Sequence, residues 1–234
     1  MEHSQFLRSE MILGKESTQN LKNKNVILFG LGGVGSYTAE ALARAGIGRL
    51  TIVDNDFVSV TNINRQLCAL HSTVGKAKVD IVKERILDIN PECEVTALQK
   101  FYLPENSEEF NLASYDYIAD AIDTVSAKID LAVKSQELSI PLISCMGTGN
   151  KLDPTKFAVS DIFKTSGCPL CRVMRSELRK RGIKKLCVVW SPEEPIKPIA
   201  TNEDSGKRQT PGSLPFVPGV AGMIMAGKII TDLG

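Results

Sequence analysis

The stretch VILFGLGGVGS, residues 26–36, runs from four apolar residues into a glycine-rich loop, and the helix-like segment YTAEALARAG follows it. Its glycines, Gly30, Gly32, Gly33 and Gly35, fit the pattern G-x-G-x-x-G between a strand and a helix. Glycine permits a tight turn and lets a phosphate approach the backbone amides at a helix N-terminus. The stretch therefore predicts a phosphate-binding loop, and a glycine turn without a ligand is the alternative.

Apolar, strand-like runs alternate with helical patterns through the first part of the chain, which is typical of a parallel α/β sheet. The runs cover residues 26–29, 50–53, 95–98, 117–119 and 142–145. After Gly147 the pattern becomes strand, helix, strand and a final apolar helix. We predict a Rossmann-like, mostly parallel sheet with helices on both faces and a C-terminal antiparallel strand and helix extension. Residues 1–147 would form a nucleotide-binding half and residues 148–234 a substrate-binding half, fused into one domain.

Composition sets broad limits. The chain has 234 residues, and its 28 basic and 27 acidic residues give a net charge of +1, so the overall charge indicates no partner. The N-terminus lacks an apolar signal sequence, and the six scattered cysteines are interpreted as thiols, so we expect a cytoplasmic protein. The densely apolar residues 216–227 are too few to span a bilayer, which takes about 20 residues. A buried helix is therefore expected there, without stable membrane insertion.

The ligand of the glycine loop could be NAD or ATP, because both use an acidic residue about 20 positions later for the ribose. Asp54 meets that expectation for either ligand. Cationic and amide side chains follow it closely, and these suit a triphosphate under attack, where negative charge develops. The nucleotide-binding candidates after the loop are Asp54, Asp56, Asn62, Arg65, Gln66 and Lys78. Asp123, at the end of another strand, is the candidate Mg²⁺ ligand. Together they favour ATP.

The segments GLGGVGS, IVDNDFVSVTNINRQ, VGKAKV and DAIDTV resemble the ThiF/MoeB/HesA superfamily of ubiquitin-activating enzymes and sulfur-carrier adenylyltransferases. The resemblance implies that Asp54 and Asp56 bind the ribose region and that Asn62, Arg65 and Lys78 contact phosphates. It also implies a metal role for Asp123. Arg8, in FLRSEMILG, matches an arginine that family members donate to the partner subunit's ATP site, which implies a homodimer. Arg8, Arg65, Lys78 and Asp123 are thus the catalytic candidates.

Two features concern the substrate. Zinc-bearing relatives need two Cys-x-x-Cys pairs for a tetrahedral site, whereas this chain has one pair, Cys168 and Cys171. The helical segment after it is strongly basic, and Arg172, Arg175 and Arg179 have the spacing of one helix face. This segment is interpreted either as a solvated face or as a contact surface for RNA phosphates. The candidate RNA-binding residues are Arg172, Arg175, Arg179, Lys180, Arg181, Lys184, Lys185 and, in the loop after the fifth strand, Lys151.

The segments MGTGNKLDPTKF, VVWSPEEP and PGSLPFVPGVAG resemble the tRNA threonylcarbamoyladenosine dehydratase branch of this superfamily. This resemblance implies ATP-dependent cyclisation of threonylcarbamoyladenosine beside the tRNA anticodon, through ATP activation of the threonyl carboxylate. Activation of a sulfur-carrier protein's C-terminal carboxylate is the alternative activity. An ATP-binding scaffold without turnover and an NAD dehydrogenase are weaker alternatives. The sequence leaves open whether a sulfur-transfer protein is a further partner.

Overall fold

The computed structural model describes residues 4–199 and 211–234, and within them one seven-stranded sheet has the order β3-β2-β1-β4-β5-β7-β6. The strands are β1 (Asn25–Phe29), β2 (Arg49–Val53), β3 (Glu94–Leu98), β4 (Tyr117–Asp120), β5 (Leu142–Cys145), β6 (Ala158–Asp161) and β7 (Cys187–Trp190). All neighbouring pairs are parallel except β6 and β7, which are antiparallel. The predicted α/β class, with its antiparallel C-terminal strands, is confirmed.

Helices cover both faces of this sheet. They are α1 (Leu7–Leu13), α2 (Lys15–Lys22), α3 (Gly35–Ala45), α4 (Lys78–Ile89), α5 (Val125–Leu138), α6 (Pro169–Lys180) and α7 (Val217–Leu233). Residues of α3, α4 and α7 share one apolar core with the sheet, including Leu42, Ile86 and Met225. Residues of α5 and α6 form the core on the other face, including Leu131 and Met174. The two cores hold the strand ends, and therefore the loops, in fixed positions.

The C-terminal helix α7 packs closely on α3, the helix that follows the glycine loop. A Cβ atom at Gly222 would lie 2.3 Å from the Val34 carbonyl oxygen, so only glycine allows this approach. Thr38 donates from its hydroxyl to the Gly222 carbonyl at 3.1 Å. The expected buried apolar helix is therefore confirmed. Across the described residues, no helix has the length and apolarity needed to cross a membrane.

The strand order reverses between β1 and β4. The two strands pair with each other, β1 pairs with β2 on its other side, and β4 pairs with β5 on its other side. Because parallel strands end at the same edge of a sheet, the loops after β1, β2, β4 and β5 meet at this point. In α/β sheets such a reversal opens a crevice at the carboxyl ends of the strands, and ligands bind there. Phe29 at the end of β1 aligns with Val53 of β2 and Asp120 of β4. The topology therefore places the candidate site at this edge.

Candidate functional site

Two glycines of the loop are required by the fold itself. Gly30 has φ +87°, and a Cβ there would lie 2.7 Å from the carbonyl oxygen of Ala121, the residue that follows β4. A Cβ at Gly35 would lie 1.7 Å from the Gly30 carbonyl oxygen. The loop is thus packed against its own backbone and against the neighbouring strand. This packing brings the N-terminus of α3 to the edge of the sheet.

Gly32 differs because its missing side chain faces the cavity. Its ideal Cβ position has one protein atom near it within 4 Å, Nε2 of Gln66 at 3.9 Å. Gln66 is buried, and among the described residues its Oε1 is the buried side-chain atom without a hydrogen-bond partner. An unpaired buried acceptor is costly unless a ligand satisfies it. The space at Gly32 and the amide of Gln66 together fit a bound polar ligand.

Gly32 and Gly35 should respond differently to replacement by alanine. Gly32→Ala keeps the fold and weakens ATP binding about tenfold or more, about 1.4 kcal/mol, because its methyl group occupies the phosphate space. Gly35→Ala lowers the free energy of unfolding by about 1–3 kcal/mol, because the overlap is with backbone. Calorimetric titration with ATP and denaturant unfolding separate the two effects. Equal loss of stability in both variants would contradict the assignment of Gly32 to the ligand.

The cavity at this edge has a volume of about 870 Å³ and is lined by the loops after β1, β2, β4 and β5. Most of the predicted site residues line it. They are Gly30, Gly32, Gly33, Asp54, Asp56, Asn62, Arg65, Gln66, Lys78, Asp123 and Lys151. Gly35 begins α3 beneath the loop, and Arg8 and the basic residues of α6 are not among the lining residues. The structure therefore brings the candidate nucleotide-binding residues together, and it leaves Arg8 and the basic residues of α6 outside the cavity lining.

Asp54 connects the end of β2 to the glycine loop. One carboxylate oxygen accepts the backbone amide of Leu31 at 2.6 Å, and the other accepts that of Asp56 at 2.8 Å. Lys78, only 4% exposed, places Nζ 2.8 Å from Asp56 Oδ2 and 3.9 Å from Asp54 Oδ1. Burial raises the pKa of Asp54, and the Lys78 ammonium opposes this rise. The result is an acid–base cluster on the wall of the cavity, in which Lys78 is buried, Asp54 is mostly buried and Asp56 is exposed.

Arg65 and Asn62 belong to the short segment that closes this side of the cavity. Arg65 is half-buried, and its Nη1 donates to the Thr61 carbonyl at 3.0 Å and to Asn64 Oδ1 at 2.8 Å. Burial lowers the pKa of its guanidinium. Asn62 Oδ1 accepts the Ser59 amide at 3.1 Å. These contacts fix the position of a cation that lines the cavity beside Gly33 of the glycine loop.

A buried ion pair below the cavity escaped the sequence reasoning. Lys128 and Asp120 are both fully buried, and Lys128 Nζ lies 3.0 Å from each carboxylate oxygen of Asp120. Lys128 Nζ also donates to Ser144 Oγ at 3.2 Å and to the Cys145 carbonyl at 2.8 Å. Asp120 Oδ1 accepts the Ile122 amide at 3.2 Å. The available signal was a lysine among the apolar residues of an amphipathic helix.

This ion pair anchors the loop between β4 and α5, which carries Asp123. The carboxylate of Asp123 is exposed at the cavity. Within the described ranges, no cluster of three or more His, Cys, Asp or Glu side chains could hold a metal ion by itself. Mg²⁺ is commonly bound by one or two carboxylates together with substrate phosphates. One exposed carboxylate in the same cavity as the glycine loop therefore fits Mg²⁺ held jointly with a nucleotide.

At the far end of the cavity, Lys151 is 3% exposed and its Nζ donates to the Glu193 carbonyl. The Glu193 carboxylate accepts the Leu152 amide at 2.9 Å. Asn150 has φ +59°, and its Oδ1 accepts the Gly212 amide at 2.6 Å. These contacts link the loop after β5 to two segments of the C-terminal half. Lys151 is thus a buried cation that is held by the Glu193 carbonyl and also lines the cavity.

The helix predicted for the basic segment is confirmed as α6, in which Arg172 and Arg179 are exposed and Arg175 is partly buried. Arg175 donates from Nη1 to the Thr165 carbonyl at 3.0 Å, and the Arg179 guanidinium lies 5.2 Å from the Phe163 ring centroid. Glu177 pairs with Lys180 at 2.6 Å and with Arg181 at 2.7 Å. Arg172, Lys184 and Lys185 are exposed.

Arg8 lies on α1, where it is exposed. Its neighbours Leu7, Met11 and Ile12 are 44%, 80% and 86% exposed. Large apolar side chains grouped in this way are typical of an interaction surface. Arg8 therefore lies on an apolar, accessible helix outside the cavity of its own chain.

The chain is similar in sequence and structure to proteins of known family. The model of the ThiF family matches residues 5–233. A Bacillus subtilis protein named tRNA threonylcarbamoyladenosine dehydratase is 50% identical over 98% of this chain and 94% of its own length. The Escherichia coli protein of that name is 42% identical over 72% of this chain and 63% of its own. Its crystal structure in complex with ATP has a TM-score of 0.88 and covers 98% of this chain and 93% of that one.

A more distant relative matches a smaller share of the chain. The molybdopterin-synthase adenylyltransferase of Salmonella typhimurium is 34% identical over 55% of this chain and 51% of its own length.

Proposed function

This chain belongs to the ThiF family, and we propose that it catalyses the ATP-dependent dehydration of threonylcarbamoyladenosine in tRNA, a cyclisation with net loss of one water. The 50% identity to the B. subtilis dehydratase, over 98% of this chain, carries the proposal. The cavity supports it, because a phosphate-sized space at Gly32 lies among cationic and acidic side chains.

The reaction activates a carboxylate. With ATP bound, a threonyl carboxylate oxygen would attack a phosphorus of ATP, and pyrophosphate would leave if AMP is transferred or ADP if the terminal phosphate is transferred. The carboxylate oxygen then becomes part of a leaving group. The neighbouring carbamoyl oxygen or nitrogen then attacks the activated carbon, and the ring closes as the phosphate-bearing group departs. No external nucleophile is needed. In this chain, Arg65 and Lys78 would stabilise the negative charge that develops on the phosphates, since fixed cations in a partly buried site do this effectively.

Nucleotide binding would use the remaining residues of the cavity wall. Asp54 and Asp56 would bind the ribose region, and Asn62 and Gln66 would provide amide contacts, with the unpaired Gln66 oxygen gaining a partner. Asp123 would hold Mg²⁺, which neutralises phosphate charge when bound. The buried Lys128–Asp120 pair would act by positioning the loop that carries Asp123.

Residues 148–234 are proposed as the half that binds the tRNA. Lys151, at the far end of the cavity, would contact the modified nucleotide. The exposed basic residues of this half would contact RNA phosphates, and these are Arg172, Arg179, Lys180, Arg181, Lys184 and Lys185. Arg175 is partly buried and donates to the Thr165 carbonyl, so it would contribute less. A target beside the anticodon and a cytoplasmic location belong to the same proposal.

A homodimer is proposed in which Arg8 reaches the partner subunit's ATP site. The exposed apolar residues around Arg8 on α1 support an interface there, and Arg8 does not line the cavity of its own chain. A sulfur-transfer protein is a further candidate partner, and it would have to dock without covering the cavity.

The decisive experiment uses tRNA that carries threonylcarbamoyladenosine, incubated with this protein, Mg²⁺ and ATP. We expect nucleoside mass spectrometry to detect a product lighter by one water, and none when ATP is omitted. Unchanged nucleoside, in the presence of protein shown to bind ATP by titration, would overturn the proposal. Pyrophosphate release with the C-terminal tail of a sulfur-carrier protein would then test the alternative activity.

A further inference from the structure

Two cysteines at the start of α6 form a feature that the dehydration does not use. Cys168 is the N-cap of the helix and Cys171 lies one turn further along. Cys168 is 3% exposed and lines the cavity, whereas Cys171 is fully buried behind it. Residues three apart in this position bring their side chains onto the same face of a helix. One thiol therefore faces the cavity, and the other supports it from inside the protein.

The surroundings of the pair separate the two thiols chemically. The Cys171 thiol donates toward the Cys168 sulfur and lowers the pKa of Cys168 well below its ordinary value. The backbone amides of Cys171 and Gly147 and the Lys151 ammonium act in the same direction, against burial. The same contact raises the pKa of Cys171, although Arg175 opposes this. Cys168 is thus the more acidic thiol of the pair.

The other four cysteines have the opposite character. Burial raises the pKa of Cys68, of Cys93 to about 11, of Cys145 to about 12 and of Cys187. For Cys145, the Lys128 ammonium opposes this rise in pKa, and the charges of Asp120 and Cys168 add to it. A thiolate is the reactive form of cysteine, so reactivity should be concentrated at Cys168.

We propose that Cys168 and Cys171 form a reactive dithiol in the wall of the cavity, a modification site for small disulfides. The Cys168 thiolate attacks a disulfide RSSR, forms a mixed disulfide and releases RS⁻. Cys171 then loses its proton and attacks the Cys168 sulfur, which forms the Cys168–Cys171 disulfide and releases the second RS⁻. The two cysteines are oxidised and one small disulfide is reduced to two thiols. A cavity of about 870 Å³ has room for a reagent of peptide size.

The product should be easily reversed. Contacts that stabilise the thiolate stabilise the reduced form, and this makes a disulfide more oxidising. Excess reduced thiol should therefore restore both cysteines. The inference goes beyond the proposed dehydration and does not rest on it, because the modification is measured directly by mass.

The test exposes the full-length native protein to oxidised glutathione, traps remaining thiols with N-ethylmaleimide and maps the peptides by mass spectrometry. We expect a disulfide between Cys168 and Cys171, reversed by reduced glutathione. Cys171→Ser should stop at glutathione attached to Cys168, because the resolving thiol is missing. Cys93→Ser, which removes a remote buried thiol, should behave like the unchanged protein.

A second measurement distinguishes reactivity from simple access. Iodoacetamide should alkylate native Cys168 at nearly the same rate at pH 8 and pH 6, whereas an ordinary thiol slows about 100-fold over this range. The urea-unfolded protein provides that reference. Unmodified Cys168 in both the unchanged protein and Cys171→Ser, or modification of Cys93 and Cys187 at the same rate as Cys168, would overturn the proposal. Circular dichroism confirms that Cys171→Ser is folded before either result is accepted.

Discussion

Lys78→Met is expected to lower the single-turnover rate of the dehydration by about 10²–10³, the effect of removing one fixed charge-stabilising group from a site of this kind. Lys78 is 4% exposed and lines the cavity, and methionine keeps its length and apolar stem. The ammonium stabilises charge that grows as the phosphate bond breaks, so the loss falls mainly on the rate. Rapid-quench assays at saturating ATP, with the nucleoside product quantified by mass spectrometry, measure it.

Lys76→Met is the matched control. It removes the same charge from a residue that is two positions earlier in the chain, exposed and outside the cavity lining. Its rate should stay within about twofold of the unchanged protein, since exposed charges contribute little. ATP affinity is measured for both variants by titration. A Lys78→Met enzyme with an unchanged rate, or a Lys76→Met enzyme with the same loss, would show that Lys78 has no particular role in charge stabilisation.

Lys128→Met is expected to lower the free energy of unfolding by about 3–5 kcal/mol, because removing one partner of a buried pair leaves an uncompensated charge. Lys128 and Asp120 are fully buried, and Ser144 and the Cys145 carbonyl are further partners of the ammonium. The stability loss is measured by equilibrium unfolding in urea. A smaller loss in Lys128→Met combined with Asp120→Leu would show that the isolated carboxylate causes the destabilisation.

Lys134→Met is the control on the same helix, since its ion pair with Glu108 lies at the surface, where Glu108 is 88% exposed. Its unfolding midpoint should not change measurably, because surface ion pairs contribute little. If Lys128→Met were as stable as Lys134→Met, the buried pair would not hold the loop of Asp123 in place, and its positioning role would be refuted.

Much of the fold was predictable because its signals are local. The first five strands were each predicted to within one residue of their observed bounds. Four of them, β1, β2, β4 and β5, are almost wholly buried, and a strand buried on both faces is a continuous apolar run. The glycine loop was predicted because its backbone needs Gly30 at positive φ and Gly35 without a side chain. The nucleotide candidates follow these strand ends, so the parallel topology alone predicted that they would meet.

The basic helix shows where local signals stop. Its spacing predicted α6 correctly, and the same spacing predicted a common face for Arg172, Arg175 and Arg179. How the middle and last of these arginines are held depended on residues outside the helix, namely Thr165 for Arg175 and Phe163 for Arg179. Helical periodicity gives the direction of a side chain, but the neighbour it meets is a property of the packed molecule.

The sequence by itself determined the α/β fold, the loop that approaches phosphates and the membership of an ATP-using family, because these depend on short patterns of residues. The tertiary structure decided which glycine faces the cavity, which glutamine oxygen lacks a partner, and that Lys128 lies beneath the loop of Asp123. It also decided that Cys168 faces the cavity. Burial and electrostatic pairing act between residues that are far apart in the chain, so they exist only once the sheet and its two layers of helices have brought those residues together.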